Sequence, residues 1–313
     1  MQASSAPIHA GATRRRAWLE LLRPANVATA LADVLAGVSV AGLPLAAAGA
    51  SFVPLTWLLV ATACLYAGGI VLNDVFDRAV DAVERPDRPI PSGRIPVTHA
   101  SLAGGGLLLA GVVAAAAAGP IPALVAMAIA AAVLIYDAWG KHHPFIGPLN
   151  MGLCRALNLL LGIALVPSVL AGAWPLALAP LTYIAAVTMV SRGEVHGARR
   201  PVVVAAIGLV AAVVAAVVVV IATRASAQDF TPLHHLWALG LTGWLAWRVL
   251  PAFWRAAATS APADIRVAVR TGVLSLVLLD AVIAASYAGI MNSLAVLATG
   301  LLAWRLARLF AVT

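Results

Sequence analysis

Long apolar runs follow one another along this chain, separated by short polar breaks. Runs long enough to span a bilayer lie at about 26–48, 52–73, 99–117, 121–137, 147–170, 174–191, 201–222, 234–254 and 268–290, with a tenth candidate at about 291–310. A straight helix needs roughly 20 apolar residues to cross the hydrocarbon core, so the shorter runs must borrow from their flanks. Gly119-Pro120 and Ala173-Trp174-Pro175 mark tight, uncharged turns. The pattern predicts an all-α fold, a polytopic transmembrane helical bundle of nine or ten helices.

Composition strengthens this reading. Of 313 residues, 63% are apolar and only 10% charged, against about 25% charged in a soluble domain. A core of this chain's size cannot hide so much apolar surface, so the bilayer must act as solvent. The net charge of +8 does not point to nucleic acid, because the basic residues sit in short clusters between apolar runs.

Those clusters set the orientation. Arg14, Arg15, Arg16 and Arg23 precede the first helix; Arg78, Arg85, Arg88 and Arg94 follow the second; Lys141 follows the fourth; Arg192, Arg199 and Arg200 follow the sixth. With alternating helices all of these lie on one face, together with Arg248, Arg255, Arg266, Arg270, Arg305 and Arg308, while the opposite face has only Arg224. The positive-inside rule places that face, and the N-terminus, in the cytoplasm. Residues 1–16 read as a cytoplasmic tail followed by a retained first helix rather than a cleaved leader. Cys64 and Cys154 each lie in an apolar run, with no spacing suited to zinc or a redox pair.

The chemistry concentrates where the second run ends, at Asn73-Asp74-Val75-Phe76-Asp77-Arg78-Ala79-Val80-Asp81. At 100° per residue Asp74, Asp77 and Asp81 fall within about 60° of one another on one helical face. Three carboxylates so placed repel unless a cation lies among them, and hard oxygen donors suit Mg²⁺ together with phosphate oxygens. Without a metal they would form a solvated acidic helix end paired with nearby arginines. The continuation, Arg85-Pro86-Asp87-Arg88-Pro89-Ile90-Pro91-Ser92-Gly93-Arg94, is a proline-stiffened arginine loop. Guanidinium forks such as those of Arg85 and Arg88 grip phosphate oxygens.

Asn73 to Gly93, written N-D-x-x-D-x-x-x-D-x-x-x-R-x-x-R-P-x-x-x-G, resembles the first aspartate-rich signature of the UbiA superfamily of intramembrane prenyltransferases. Arg23-Pro24 and Asn26 look like that family's R-P-x-N opening, and Tyr136 with Lys141 look like its tyrosine–lysine loop, so that the resemblance covers residues 17–313. It implies a cavity at the bundle's centre, open to the cytoplasm. It also implies Mg²⁺-dependent transfer of a prenyl group from an isoprenyl diphosphate to a small lipophilic or aromatic acceptor. Asp74, Asp77, Asp81 and Glu194 would hold the metal; Asp74, Asp77, Lys141 and Glu194 would carry catalysis; Asn73, Arg85 and Arg88 would bind diphosphate. The expected location is the bacterial inner (plasma) membrane.

The second acidic segment departs from the family pattern. Where a D-x-x-x-D cluster is usual, the chain has Ser191-Arg192-Gly193-Glu194. Glu194 is its one carboxylate and Ser191 stands in the first aspartate's place, a variant that resembles the divergent EboC-like branch. This loss favours a rival reading, a non-catalytic isoprenoid-diphosphate binder or lipid carrier. The D-x-x-D-G-x-x-A-R signature of CDP-alcohol phosphotransferases is missing.

Polar residues inside the apolar runs must face protein or a wet cavity, since exposure to lipid costs several kcal/mol. Asn26 and Asp33 share one face of the first helix; Asn150, Cys154 and Asn158 share one on the fifth, beside Arg155. Asn26, Asn150, Arg155 and Asn158 are expected to line the headgroup cavity with Tyr136, Ser191 and Arg192, the alternative for Arg155 being a helix-pinning pair with Asp33. Tyr66, Phe76, Tyr136, Trp139 and Tyr183 are candidates to shield a carbocation.

Overall fold

Prolines open five of the helices, at the first-turn positions where a missing N–H is harmless. The computed structural model describes residues 8–43, 45, 52–224 and 231–309. Its α-helices are α1 (Ile8–Leu22), α2 (Pro24–Val40), α3 (Phe52–Phe76), α4 (Arg78–Glu84), α5 (Val97–Ala118), α6 (Pro120–Ala138), α7 (Ile146–Ile163), α8 (Pro167–Ala173), α9 (Leu178–Ser191), α10 (Arg200–Arg224), α11 (Pro232–Thr259) and α12 (Pro262–Leu306). The far end of the first apolar run, at 44 and 46–48, and residues 1–7 of the N-terminal segment lie outside the described residues. Helix α1 begins within that segment and packs Ala17 and Leu21 against Val71, Val75, Ile90 and Ile95.

Eight helical stretches among the described residues are long and apolar enough to cross a membrane. The difference from nine or ten has two sources. Helix α11 carries Arg248 and Arg255, and it is not among the eight. Helix α12 joins the ninth and tenth runs in one 45-residue element, about 67 Å long if straight and twice what a bilayer core needs. It is not straight. Gly289 breaks it at φ 78°, ψ −170°, and a Cβ on Gly300 would lie 3.0 Å from Val277, so its two halves double back on each other. A side chain at Gly289 would strain this backbone and lie 2.9 Å from the His234 ring.

Two apolar clusters form the interior. One gathers α9 to α12, the other α3, α5 and α6, and both take residues from α2 and α7. Helices α2 and α7 are therefore the seam of the bundle. They approach closely because Gly37 faces Gly162: a Cβ on Gly37 would strike the Leu159 carbonyl, and one on Gly162 the Val34 carbonyl. Gly37→Leu or Gly162→Leu is expected to destabilise the bundle by about 3 kcal/mol or more, measured as loss of thermal stability in detergent. Gly240→Ala, whose Cβ meets nothing within 4 Å, is the control; equal behaviour of all three would mean the seam is not tight.

Buried charge reinforces the seam. Arg155 of α7 donates to Asp33 of α2 at 2.9 Å, to Thr29 at 2.8 Å and to the Tyr66 hydroxyl at 3.0 Å. Asn158 adds bonds to Asp33 and to the Ala30 carbonyl.

Connections from alternate helices meet at one end of the bundle. Arg192 donates to the carbonyls of Lys141 and His143, Lys141 pairs with Asp77, Arg266 donates to the Glu194 carbonyl, and Gly197 packs on Ser260. The segments after α3, α6, α9 and α11 thus converge, as the alternation of basic clusters predicts.

Candidate active site

The acidic helix end keeps its single face across a break. Helix α3 stops at Phe76 and α4 starts at Arg78, yet Asp77 N still bonds Asn73 O and Asp81 N bonds Asp77 O, so the i→i−4 course continues. Asp74 and Asp81 are buried, and Asp77 is partly open.

The arginine loop folds back over this face. Ile90 and Ile95 plug into the apolar contact beneath α1 and α3. Gly93 turns the chain at φ 73°, and Arg94 ties the loop to Glu20 at 2.6 Å and to the Asp87 carbonyl. So anchored, the loop places the Arg88 guanidinium on Asp81 at 2.6 Å and on Asp74 at 3.4 Å. Arg23 reaches Asp74 at 2.8 Å from the joint of α1 and α2, where its own backbone is left-handed at φ 44°. That conformation is costly for a side-chain-bearing residue, and Pro24 restricts it further, so packing on both sides must hold it. Lys141 enters from the turn after α6 and pairs with Asp77 at 2.6 Å.

These groups wall a polar cavity of about 580 Å³, lined by Arg23, Asn73, Asp77, Asp81, Arg85, Arg88, Lys141, Ser191, Arg192 and Glu194 among others. Arg85 comes from the loop; the last three come from the end of α9. Glu194 is nearly buried, and this desolvation pushes its carboxyl above the ordinary value, opposed by the nearby Arg85 and Arg266. The Ser191 hydroxyl is turned onto the Thr188 carbonyl.

Behind the polar cavity lies a largely apolar chamber of about 270 Å³, between α2, α3, α6 and α7. Leu65, Ile70, Ile129, Val133 and Met151 supply its apolar wall; Asn26, Thr62, Tyr66, Tyr136, Asp137, Cys154 and Asn158 are polar positions along it. Arg23 and Asn73 line both spaces and mark the junction. Asn73 is held there by Asp137, donating to its Oδ1 at 2.9 Å.

Most of the residues singled out from sequence are thus brought together, with exceptions. Arg155 lines neither cavity: its guanidinium pins α2 to α7 through Asp33, the alternative reading, because its donors are already engaged at the seam. Asn150 is buried beside Cys154 and likewise lines neither. Asp74 sits behind the polar wall, holding the two arginines. Among the aromatic candidates, Tyr66 and Tyr136 face the chamber; Trp139 is exposed, Phe76 lies under Lys141, and Tyr183 is buried elsewhere on the Gly272 carbonyl. Two site residues, Asp137 and Arg23, lie outside the set expected from sequence; for Asp137 the signal is an acid directly after Tyr136 near the end of an apolar helix, and for Arg23 its place in the R-P-x-N opening.

Whether a divalent cation suits this site turns on the donors. Among the described residues, no three His, Cys, Asp or Glu side chains converge closely enough to hold an ion as they stand. Each carboxylate of the first motif instead faces Arg23, Arg88 or Lys141. The donor chemistry still fits Mg²⁺: Asp77 and Asp81 are hard oxygen donors, one helical turn apart, on the wall of the same polar cavity.

Known proteins share both the sequence pattern and the architecture. A digeranylgeranylglyceryl phosphate synthase from Methanopyrus kandleri is 46% identical over 97 residues, 31% of this chain and 34% of the relative. One from Halobacterium salinarum is 37% identical over 174 residues, 54% of this chain and 60% of the relative. The matches thus span a third to three fifths of these relatives' length. The fold is shared with a solved digeranylgeranylglyceryl phosphate synthase (TM-score 0.59, 18% identity, 89% of this chain and 99% of that one). It is also shared with a UbiA homologue from Aeropyrum pernix K1 (TM-score 0.60, 13% identity, 81% and 96%). Residues 34–265 match the UbiA prenyltransferase family, and with the signature at Asn73–Gly93 on the wall of the polar cavity, the chain belongs to that family.

Proposed function

We propose that this protein is an enzyme that transfers a prenyl group from an isoprenyl diphosphate to a hydroxyl of a glyceryl-phosphate-type acceptor within the membrane. The observation that carries this reading is the junction of two unlike spaces at Arg23 and Asn73. An apolar chamber suits a prenyl chain; the adjoining cavity, lined by Arg23, Arg85, Arg88 and Lys141, suits a diphosphate. The bond between the two halves of such a donor would lie at the junction. Asp77 and Asp81 are the residues we assign to Mg²⁺, which would neutralise part of the diphosphate charge; Glu194 and Ser191 line the same cavity. The hydroxyl acceptor, in place of the aromatic one expected from sequence, is supported by the relatives' name, which describes glyceryl phosphate bearing two geranylgeranyl groups. The EboC-like assignment rests on Ser191 and Glu194 alone. We place the polar end in the cytoplasm, following the basic clusters.

The test is to incubate the purified protein with Mg²⁺, labelled geranylgeranyl diphosphate and geranylgeranylglyceryl phosphate, and to follow diphosphate release and the doubly prenylated product. Both should appear, and Glu194→Gln should lower turnover more than donor affinity. The single carboxylate of the second segment favours one rival, a carrier. Donor binding with no diphosphate release, unchanged in Glu194→Gln, would establish the carrier instead.

A further inference from the structure

The proposed reaction forms a new carbon–oxygen bond and must remove the proton of the acceptor hydroxyl. The residues gripping the diphosphate are poor bases for this: the arginines stay protonated, and Lys141 is paired with Asp77. A carboxylate outside the diphosphate grip reaches the junction through its bond to Asn73. Asp137 is 2% exposed and lines the apolar chamber. Its Oδ1 accepts from Asn73, the residue common to both spaces, while its Oδ2 is buried with no hydrogen-bond partner among the described residues. Buried carboxylate oxygens are rarely left so. Around it stand Asn73 and Asp74 from α3, Asp77 at the joint of α3 and α4, Tyr136 on its own helix, Lys141 one turn on and Cys154 from α7; no arginine pairs with it among the described residues.

We propose that Asp137 Oδ2 receives the hydroxyl proton of the acceptor and aims its oxygen at C1 of the prenyl chain, so that the site is built for an alcohol nucleophile. This inference rests on the prenyl-transfer reading above. In the step, the bond between C1 and the diphosphate oxygen breaks with its electron pair leaving on the diphosphate. The acceptor oxygen forms the new bond to C1, and its proton passes to Asp137, giving an ether, diphosphate and a protonated carboxyl. The bond to Asn73 holds Oδ1 in place, leaving Oδ2 turned toward the reacting pair.

Asp137→Asn separates this role from a purely structural one. Its amide oxygen can still hold Asn73, while the NH₂ group in the place of Oδ2 donates and cannot take a proton. General-base catalysis contributes about 10²–10⁴-fold, so the variant should transfer to geranylgeranylglyceryl phosphate at least about 100-fold more slowly. Equilibrium binding of labelled geranylgeranyl diphosphate should stay within about twofold. The acceptor with its hydroxyl replaced by a thiol supplies the contrast: near its pKa of about 8.5 a thiol ionises without help. The variant should therefore keep most of its thiol transfer at pH 8.5. Undiminished alcohol transfer in Asp137→Asn would overturn the proposal and leave Asp137 as the support of Asn73. A parallel fall with both acceptors, or a loss of donor binding, would overturn it in favour of a packing defect. Wild type that binds the donor yet transfers to neither acceptor would sink the prenyl-transfer reading itself and this inference with it.

Discussion

Asp74→Asn is expected to lower prenyl transfer by at least about 100-fold, although Asp74 does not line the polar cavity. Its Oδ1 accepts from Arg23 at 2.8 Å and Arg88 at 3.4 Å, and its side chain is 5% exposed. Breaking a buried ion pair by removing one partner costs about 3–5 kcal/mol, because the other charge is left uncompensated; 3 kcal/mol is roughly 100-fold in an equilibrium. Here two guanidiniums lose their anchor together, and both belong to the wall proposed to grip the diphosphate. Arg88 keeps Asp81, but Arg23 has no other carboxylate among the described ion pairs and sits on a strained backbone that this contact helps to hold. Transfer rates at saturating donor, with donor affinity measured in parallel, provide the check. A fall of less than about fivefold in both would show that the arginines are positioned by the loop fold alone.

The other large effect belongs to stability. Arg155→Met should destabilise the protein by about 3–5 kcal/mol, since it leaves the Asp33 carboxylate, 0% exposed, without its cation in the bundle interior. Hydrogen bonds between membrane helices are individually weak, about 0.6 kcal/mol on average, so the charge rather than the bond count decides the size. The paired variant Asp33→Asn/Arg155→Met should regain much of the loss. Thermal unfolding in one detergent, run on wild type, single and double variants, measures this. A single variant as stable as wild type would mean that Asp33 is neutral in the folded protein.

What the sequence revealed and what it hid follow from the range of each interaction. Apolar runs, proline-initiated helices and the face shared by Asp74, Asp77 and Asp81 are local properties of period and composition, and they were legible. The one-sided basic clusters placed Lys141, Arg192 and Glu194 at the end of the bundle that holds the acidic motif. Which intramembrane polar residue faces a cavity and which faces a partner helix depends on rotations that no single helix encodes. Arg155 therefore looked like a ligand for phosphate and proved to be the partner of Asp33. The significance of Asp137 comes from Asn73, 64 positions away in the chain, which no local pattern reveals. The break at Gly289 falls where the ninth run, at about 268–290, meets the tenth, at about 291–310, so its place was legible; that the two halves fold back on each other depends on contacts such as Gly300 with Val277, which no single helix encodes.

The pairing of Asp33 with Arg155 also bears on how the protein is made. On translocon-insertion scales a central Arg or Asp costs about 2.5–3.5 kcal/mol, while each Leu or Ile returns only about 0.3–0.6 kcal/mol. Helix α7 holds Arg155, Asn150 and Asn158 within 18 residues, so its own apolar side chains barely favour lateral release into lipid. Chain order offers a remedy: the acid is on α2, which is synthesised first, so α7 would meet a counter-charge already in place. Helices α9, α10, α11 and the doubled-back α12 follow in the chain and pack on that seam. On this ground the first spanning helix among the described residues would serve as the receptor for the fifth.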